Sequence, residues 1–133
     1  MNNLLWSDQV LNSLNKKLDV SALRQKVTAN NLANLNNPRY KRSYVTFSEE
    51  LLKAREGLPM AQTSPRHLPG EARLPEPQVK TERHTTRRTD GNNVDIDEEM
   101  MDMVTNQLRY NTLVQQISDR YSQWRYIINE GRR

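Results

Sequence analysis

A mainly α-helical chain is predicted, with long N- and C-terminal helices paired as a coiled-coil hairpin. Between them an extended proline-rich middle arm leaves room for short β structure. Three observations carry this. Leu4, Leu11, Leu14 and Leu18 recur at spacings of seven, three and four, which puts them on one helical face. From Ile96 to Ile128 residues that are all apolar except Gln107 recur in an unbroken alternation of four- and three-residue steps. Five of the six prolines, Pro59, Pro65, Pro69, Pro75 and Pro77, fall within 57–93, between these two stretches. The chain therefore divides into a helical region at 1–37, an extended segment and short helix at 38–56, an arm at 57–93 and a C-terminal helix at 94–133.

In the first region the apolar stripe slips after Leu18 to Leu23 and Val27, and Asp19 and Ser21 are cap-type residues. A near-continuous helix with a twisted stripe is favoured over a break at Val20. It should end around Leu35, because Asn tolerates the left-handed turn that closes a helix and Pro38 forbids continuation. One asparagine would complete that stop. Asn30, Asn31 and Asn34 exceed it, and are read as amides kept to hydrogen-bond other backbones or other subunits.

Tyr40, Tyr44, Val45 and Phe47 suit extended structure. Thr46 with Glu49 three residues later matches a capping box, opening a short helix through Leu51, Leu52 and Ala54 before Gly57. Within the arm, the threonine-rich run from Gln78 to Thr86 suits a polar strand or hairpin edge. The last helix gives the strongest signal. Ile96, Met100, Met103, Gln107, Tyr110, Val114, Ile117, Tyr121, Trp124 and Ile128 form its seam, with Gln107 the lone polar member, expected to fix register as a buried amide. Asp95 and Glu98 make a cap-like start and Gly131 a stop. Val104, Leu108, Leu113 and Ile127 widen the apolar surface beyond what one partner helix covers, so neighbouring subunits are expected to cover the rest.

Composition agrees with association. A hydrophobic fraction of 35% and a mean hydropathy of −0.95 are low for a self-contained globule of 133 residues. Ordering the backbone costs about 1 to 2 kcal/mol per residue, against roughly 1.5 to 3 kcal/mol returned by each fully buried large apolar side chain. The formal charge of +4 comes from 20 basic and 16 acidic residues that are interspersed, so no nucleic-acid partner is expected. Asp95, Asp97, Glu98, Glu99 and Asp102 cluster where a helix N-terminus favours negative charge. Zero cysteines exclude a disulfide framework. Leu4-Leu5-Trp6 runs into Ser7, Asp8 and Gln9 before a signal-like apolar core forms, and no transmembrane segment is present. On its own this reads as cytosolic.

His67 and His84 have no nearby ligand pattern, and neither a phosphate-cradling loop nor a nucleophile elbow occurs. No catalytic, cofactor-binding or metal residue is assigned, and no enzyme is expected. Arg83, Arg87 and Arg88 are read first as solvated loop charge, and in an assembly as partners for carboxylates on adjacent subunits. Tyr110, Tyr121 and Trp124 are seam residues before they are a ligand box.

Arg24-Gln25, then Ala29-Asn30-Asn31-Leu32-Ala33-Asn34, then Pro38-Arg39-Tyr40-Lys41 resemble the N-terminal signature of bacterial flagellar rod and hook proteins. Asp90-Gly91-Asn92-Asn93-Val94-Asp95 and Asn106-Gln107-Leu108-Arg109-Tyr110 resemble the proximal members of the flagellar basal-body rod protein family, and Thr63-Ser64-Pro65-Arg66-His67-Leu68 extends the likeness. One residue departs: the family usually has Gly where this chain has Arg39, so the resemblance does not carry a glycine-dependent turn over to this chain. It implies a structural subunit of the proximal rod, assembling helically into a tube that passes torque from the membrane ring towards the hook. Implied partners are other copies of itself, other rod proteins, the rod-to-ring adaptor, the membrane ring and the flagellar type III export apparatus. The implied location is the basal body within the cell envelope, a periplasmic rod in a two-membrane cell, reached without a cleaved signal peptide. Leu11, Leu14, Leu18, the three asparagines, Tyr40 and the C-terminal seam are the expected packing and subunit-interface residues. The alternative is a soluble coiled-coil adaptor or regulator, with or without nucleic-acid binding through its arginines.

Overall fold

Asp19 and Ser21 do not interrupt the N-terminal helix. In the computed structural model, which describes residues 3–47 and 76–130 with side chains from 10 to 47 and 76 to 129, α1 runs unbroken over Asn3–Ala33. The Ser21 hydroxyl does not compete with its own backbone because it donates to Asn106 Oδ1 of the other helix at 2.8 Å. After α1 come β1 (Ser43–Thr46), β2 (Gln78–Thr81) and α2 (Ile96–Glu130). The strands pair antiparallel, Ser43 opposite Thr81 and Thr46 opposite Gln78, which places a strand inside the threonine-rich run. The capping-box helix after Thr46, His67 and the Gly131 stop lie outside the described residues.

The two long helices pack together and run antiparallel: Asn31 meets Glu99, Ser21 meets Asn106, and Val10 and Leu14 share a groove with Asp119 and Gln123. At 1.5 Å per residue, α2 is about 50 Å long. Its first turn holds Asp97, Glu98 and Glu99, where the helix dipole favours negative charge. The Asp95 carboxylate caps it by accepting the Asp97 N–H at 3.0 Å.

Leu14, Val20, Phe47 and Val94 are the buried apolar side chains among the described residues. Ser21, Thr28, Asn31, Asn92, Asn93, Glu99 and Asn106 are buried as well, so polar groups make up much of the interior. Every buried side-chain nitrogen and oxygen described has a hydrogen-bond partner, which is the condition for such an interior to be stable.

The turn after α1 keeps its shape without glycine. Arg39 has φ 62°, in the left-handed region, and its N–H donates to Asp90 O at 3.1 Å. Gly91, at φ 84°, lies against it: a side-chain carbon there would sit 3.7 Å from Arg39 Cγ. Holding a residue with a Cβ in this region costs roughly 1 to 2 kcal/mol, which the bond to Asp90 helps to offset.

Candidate functional site

The asparagines at the end of α1 form a polar knot that fastens the chain segments which follow. Asn31, 1% exposed, uses its whole amide. Its Nδ2 donates to Ser43 O at 2.8 Å and Glu99 Oε1 at 3.1 Å, while its Oδ1 accepts the Ser43 N–H at 3.0 Å and the Tyr40 hydroxyl at 3.3 Å. A side chain thus occupies the free edge of β1 as a neighbouring strand would, pairing both backbone groups of Ser43. Asn30 Nδ2 donates to the Tyr40 oxygen at 2.9 Å, and burial, then the charge of Glu99, raises the Tyr40 hydroxyl above its ordinary value. Asn34 Nδ2 turns back to Asn30 O at 2.8 Å, satisfying a carbonyl of the last helical turn.

Asn92 and Asn93 complete the knot from the other end of the chain. Asn92 is fully buried, and its Nδ2 reaches Asn34 O at 3.2 Å, Leu35 O at 3.0 Å and Asn37 O at 3.0 Å. It therefore caps α1 from 55 or more residues away in sequence. Asn93 Oδ1 accepts the Arg42 N–H at 2.6 Å, and its Nδ2 donates to Glu82 O at 2.9 Å and Thr85 Oγ1 at 2.8 Å.

An arginine ties this knot to α2. Arg42 Nε donates to the buried Glu99 carboxylate, Nη1 lies 2.8 Å from Glu98 Oε1 and Nη2 lies 2.9 Å from Asp102 Oδ2. Burial alone would lower the Arg42 guanidinium. The Glu99 hydrogen bond and the charges of Glu99, Glu98 and Asp102 outweigh it, so the net shift is upward. Arg87 pairs with Asp95 at 2.6 Å and Glu98 at 2.9 Å, and Arg88 reaches Leu35 O at 3.1 Å and Asp90 at 3.7 Å. These two arginines, expected to be solvated or to meet another subunit, find acceptors within their own chain.

Along the helix pair, the face of α2 turned to α1 carries Glu99, Met103, Asn106, Tyr110, Leu113, Ile117 and Trp124, all buried or half-buried. Met103, Tyr110, Ile117 and Trp124 belong to the expected seam. Ile96, Met100, Gln107, Val114, Tyr121 and Ile128 are exposed on its flank. The packed line is thus rotated by roughly half a residue's angle, about 50° at 3.6 residues per turn. The buried amide is Asn106, whose Nδ2 donates to Ser21 O at 2.9 Å and Gln25 Oε1 at 3.0 Å; Gln107 instead reaches Asn111 along its own helix at 3.2 Å. Asn106 and Glu99 find their polar partners on α1 and beside β1, and that turns the helix. On α1, Leu14 is buried and Leu11 and Leu18 are half-buried. Tyr121 and Trp124 meet edge to face at 6.0 Å.

Sequence reasoning missed Arg42, Glu99, Asn92, Asn93 and Asn106 as organising residues. A signal existed for the first two: Asp95, Glu98, Glu99 and Asp102 recur at three- and four-residue steps, and so many carboxylates on one face need a cation with several donors. No cluster of three or more His, Cys, Asp or Glu side chains able to hold a metal ion occurs among the described residues, and no described helix is long and apolar enough to cross a membrane.

The arrangement is one of fastening and packing, and comparison with known proteins gives it a context. A family described as "Flagella basal body rod protein" matches residues 12–41, the stretch that holds Asn30, Asn31, Asn34 and Tyr40. The flagellar basal body rod protein FlgB of Borreliella burgdorferi is 39% identical over 105 residues, covering 72% of this chain and 78% of its own. FlgB of Bacillus subtilis is 29% identical over 96% of this chain and 98% of its own, and FlgB of Escherichia coli K12 is 28% identical over 93% and 96%.

Proposed function

Since the chain belongs to the FlgB family of flagellar basal-body rod proteins and is a structural subunit of that rod, we propose that it occupies the proximal segment and stacks helically into a torque-bearing tube. The observation that carries this reading is the apolar flank of α2. Ile96, Met100, Val104, Leu108, Val114, Tyr121 and Ile128 are exposed along nearly its whole length, more apolar surface than a lone soluble hairpin ordinarily leaves in water. Heterologous contacts through such a surface generate open helical assemblies, and long helices joined side by side resist torsion.

Its partners in this reading are further copies, other rod proteins, the rod-to-ring adaptor and the membrane ring. It reaches them through the flagellar export apparatus. The direct test is recovery of an epitope-tagged chain with basal bodies after membrane extraction. Retention through detergent and salt washes, with loss of motility on deletion, is the expected result. A chain that washes away while basal bodies stay intact contradicts the proposal.

A further inference from the structure

A groove of about 650 Å³ opens between the helices beside the end of β1. Leu108, 64% exposed, and the half-buried Leu113 contribute apolar surface, over the buried Val20 and Phe47. Lys17, Arg24 and Arg109 also line it, and no carboxylate among the described residues does. The two arginines are close enough that burial, and then the charge of Arg109, lower the Arg24 guanidinium, with Asp102 opposing. A basic, partly apolar groove calls for an occupant that brings a carboxylate and apolar side chains together.

The chain itself presents such a face. On the first turns of α2, Asp97, Met101 and Val104 follow one another at four and three residues, on the side opposite the packed Glu99 and Asn106. All three are exposed, Met101 at 71% and Val104 at 58%. The surroundings are acidic: Asp90, Asp95, Asp97, Glu98, Glu99 and Asp102 stand against Arg39, Arg42, Arg87 and Arg88.

We infer that a second copy of the chain seats the Asp97–Met101–Val104 face of its α2 in this groove, the carboxylate towards Arg109 and the two apolar side chains on Leu108 and Leu113. The contact is heterologous. Donor face and groove are different surfaces of one chain, the kind of pairing that repeats from subunit to subunit. This rests on the chain being a rod subunit, and it supplies the self-recognising surface which that reading leaves unspecified.

The lack of cysteine in the chain makes a cross-linking test clean. Met101→Cys with Thr112→Cys places two thiols eleven residues apart on one helix, about 16 Å at 1.5 Å per residue, too far for a bond within a chain. Basal bodies carrying this full-length double variant should give a ladder of dimers, trimers and longer species on oxidation, while each single variant stays monomeric. Val104→Cys with Thr112→Cys serves as a second pair should the first disturb incorporation. Arg109→Asp should cut the cross-linked yield by about tenfold, and Asp97→Arg added to that chain should restore it. Both positions are exposed, so the swap leaves the hairpin intact. A missing ladder with the wild-type chain still recovered in basal bodies overturns the inference alone. So does efficient dimerisation by a single variant, or failure of the swap to restore yield because the groove takes a different protein. Absence of the wild-type chain from basal bodies would instead remove the rod reading beneath it.

Discussion

Asn31 illustrates how one side chain replaces an element of structure. Its amide completes the free edge of β1 at Ser43 and leaves none of its four hydrogen-bonding positions unused. Asn31→Ala therefore strands a backbone pair in the interior and should lower stability by about 1 to 3 kcal/mol. Asn30→Ala, at an exposed position where the amide donates to Tyr40 and accepts a long bond from Asn34, should cost clearly less. Urea midpoints of the two variants check this, and equal shifts would deny Asn31 its special place. Arg39 should show the opposite sign: Arg39→Gly relieves the left-handed backbone and should raise stability by up to about 1 kcal/mol, after glycine's greater freedom in the unfolded chain is allowed for. An asparagine cluster beyond the needs of a helix stop was legible as hydrogen-bonding amides. The partners were not, because Ser43 and Glu99 reach Asn31 only once the strand and the second helix have folded back.

At the scale of elements, α2 was legible in its start and its long helical run, since its Asp95 cap and its periodicity are local properties. Its rotation was not. Periodicity ranks positions by apolar character, whereas the packed face is chosen by Asn106 and Glu99, whose burial requires partners that lie on one side only. Arg42→Ala tests this requirement. It leaves the 1% exposed Glu99 without its cation and should cost about 3 to 5 kcal/mol, somewhat less because the Arg42 side chain keeps 17% exposure. Glu99→Gln added to that variant should recover part of the loss. Asp95 sets a pH dependence. The Asp97 N–H first, then the Glu98 N–H and Arg87, hold its carboxyl below the ordinary value of 3.8. Its contribution is therefore complete above that value and is lost as pH falls through the lower folded one. Asp95→Asn keeps a capping oxygen without the titration, so its urea midpoint should fall less steeply than wild type below about pH 4.

For the whole molecule, fold and assembly should separate by the side of α2 that is altered. Ile117 faces α1 and Val114 lies exposed on the flank. Ile117→Asp should reduce helicity in the isolated chain. Val114→Asp should leave helicity near wild type, yet fail to enter basal bodies; normal motility with it would deny the flank a role in the rod. The need for outside contacts was legible from the low hydropathy, because it follows from how much apolar surface exists and not from where it points. The antiparallel ladder has a last consequence. Thr46 stands opposite Gln78, and Glu82 N reaches Arg42 O at 2.8 Å, so the chain enters and leaves everything between them through one closed gate. Loop-closure entropy grows only logarithmically, about 0.6 kcal/mol for each doubling in length. Sequence grafted between these strands should therefore be borne by the helices at small thermodynamic cost, which would let this stretch diverge or accept a reporter while the fastened frame around it stays the same.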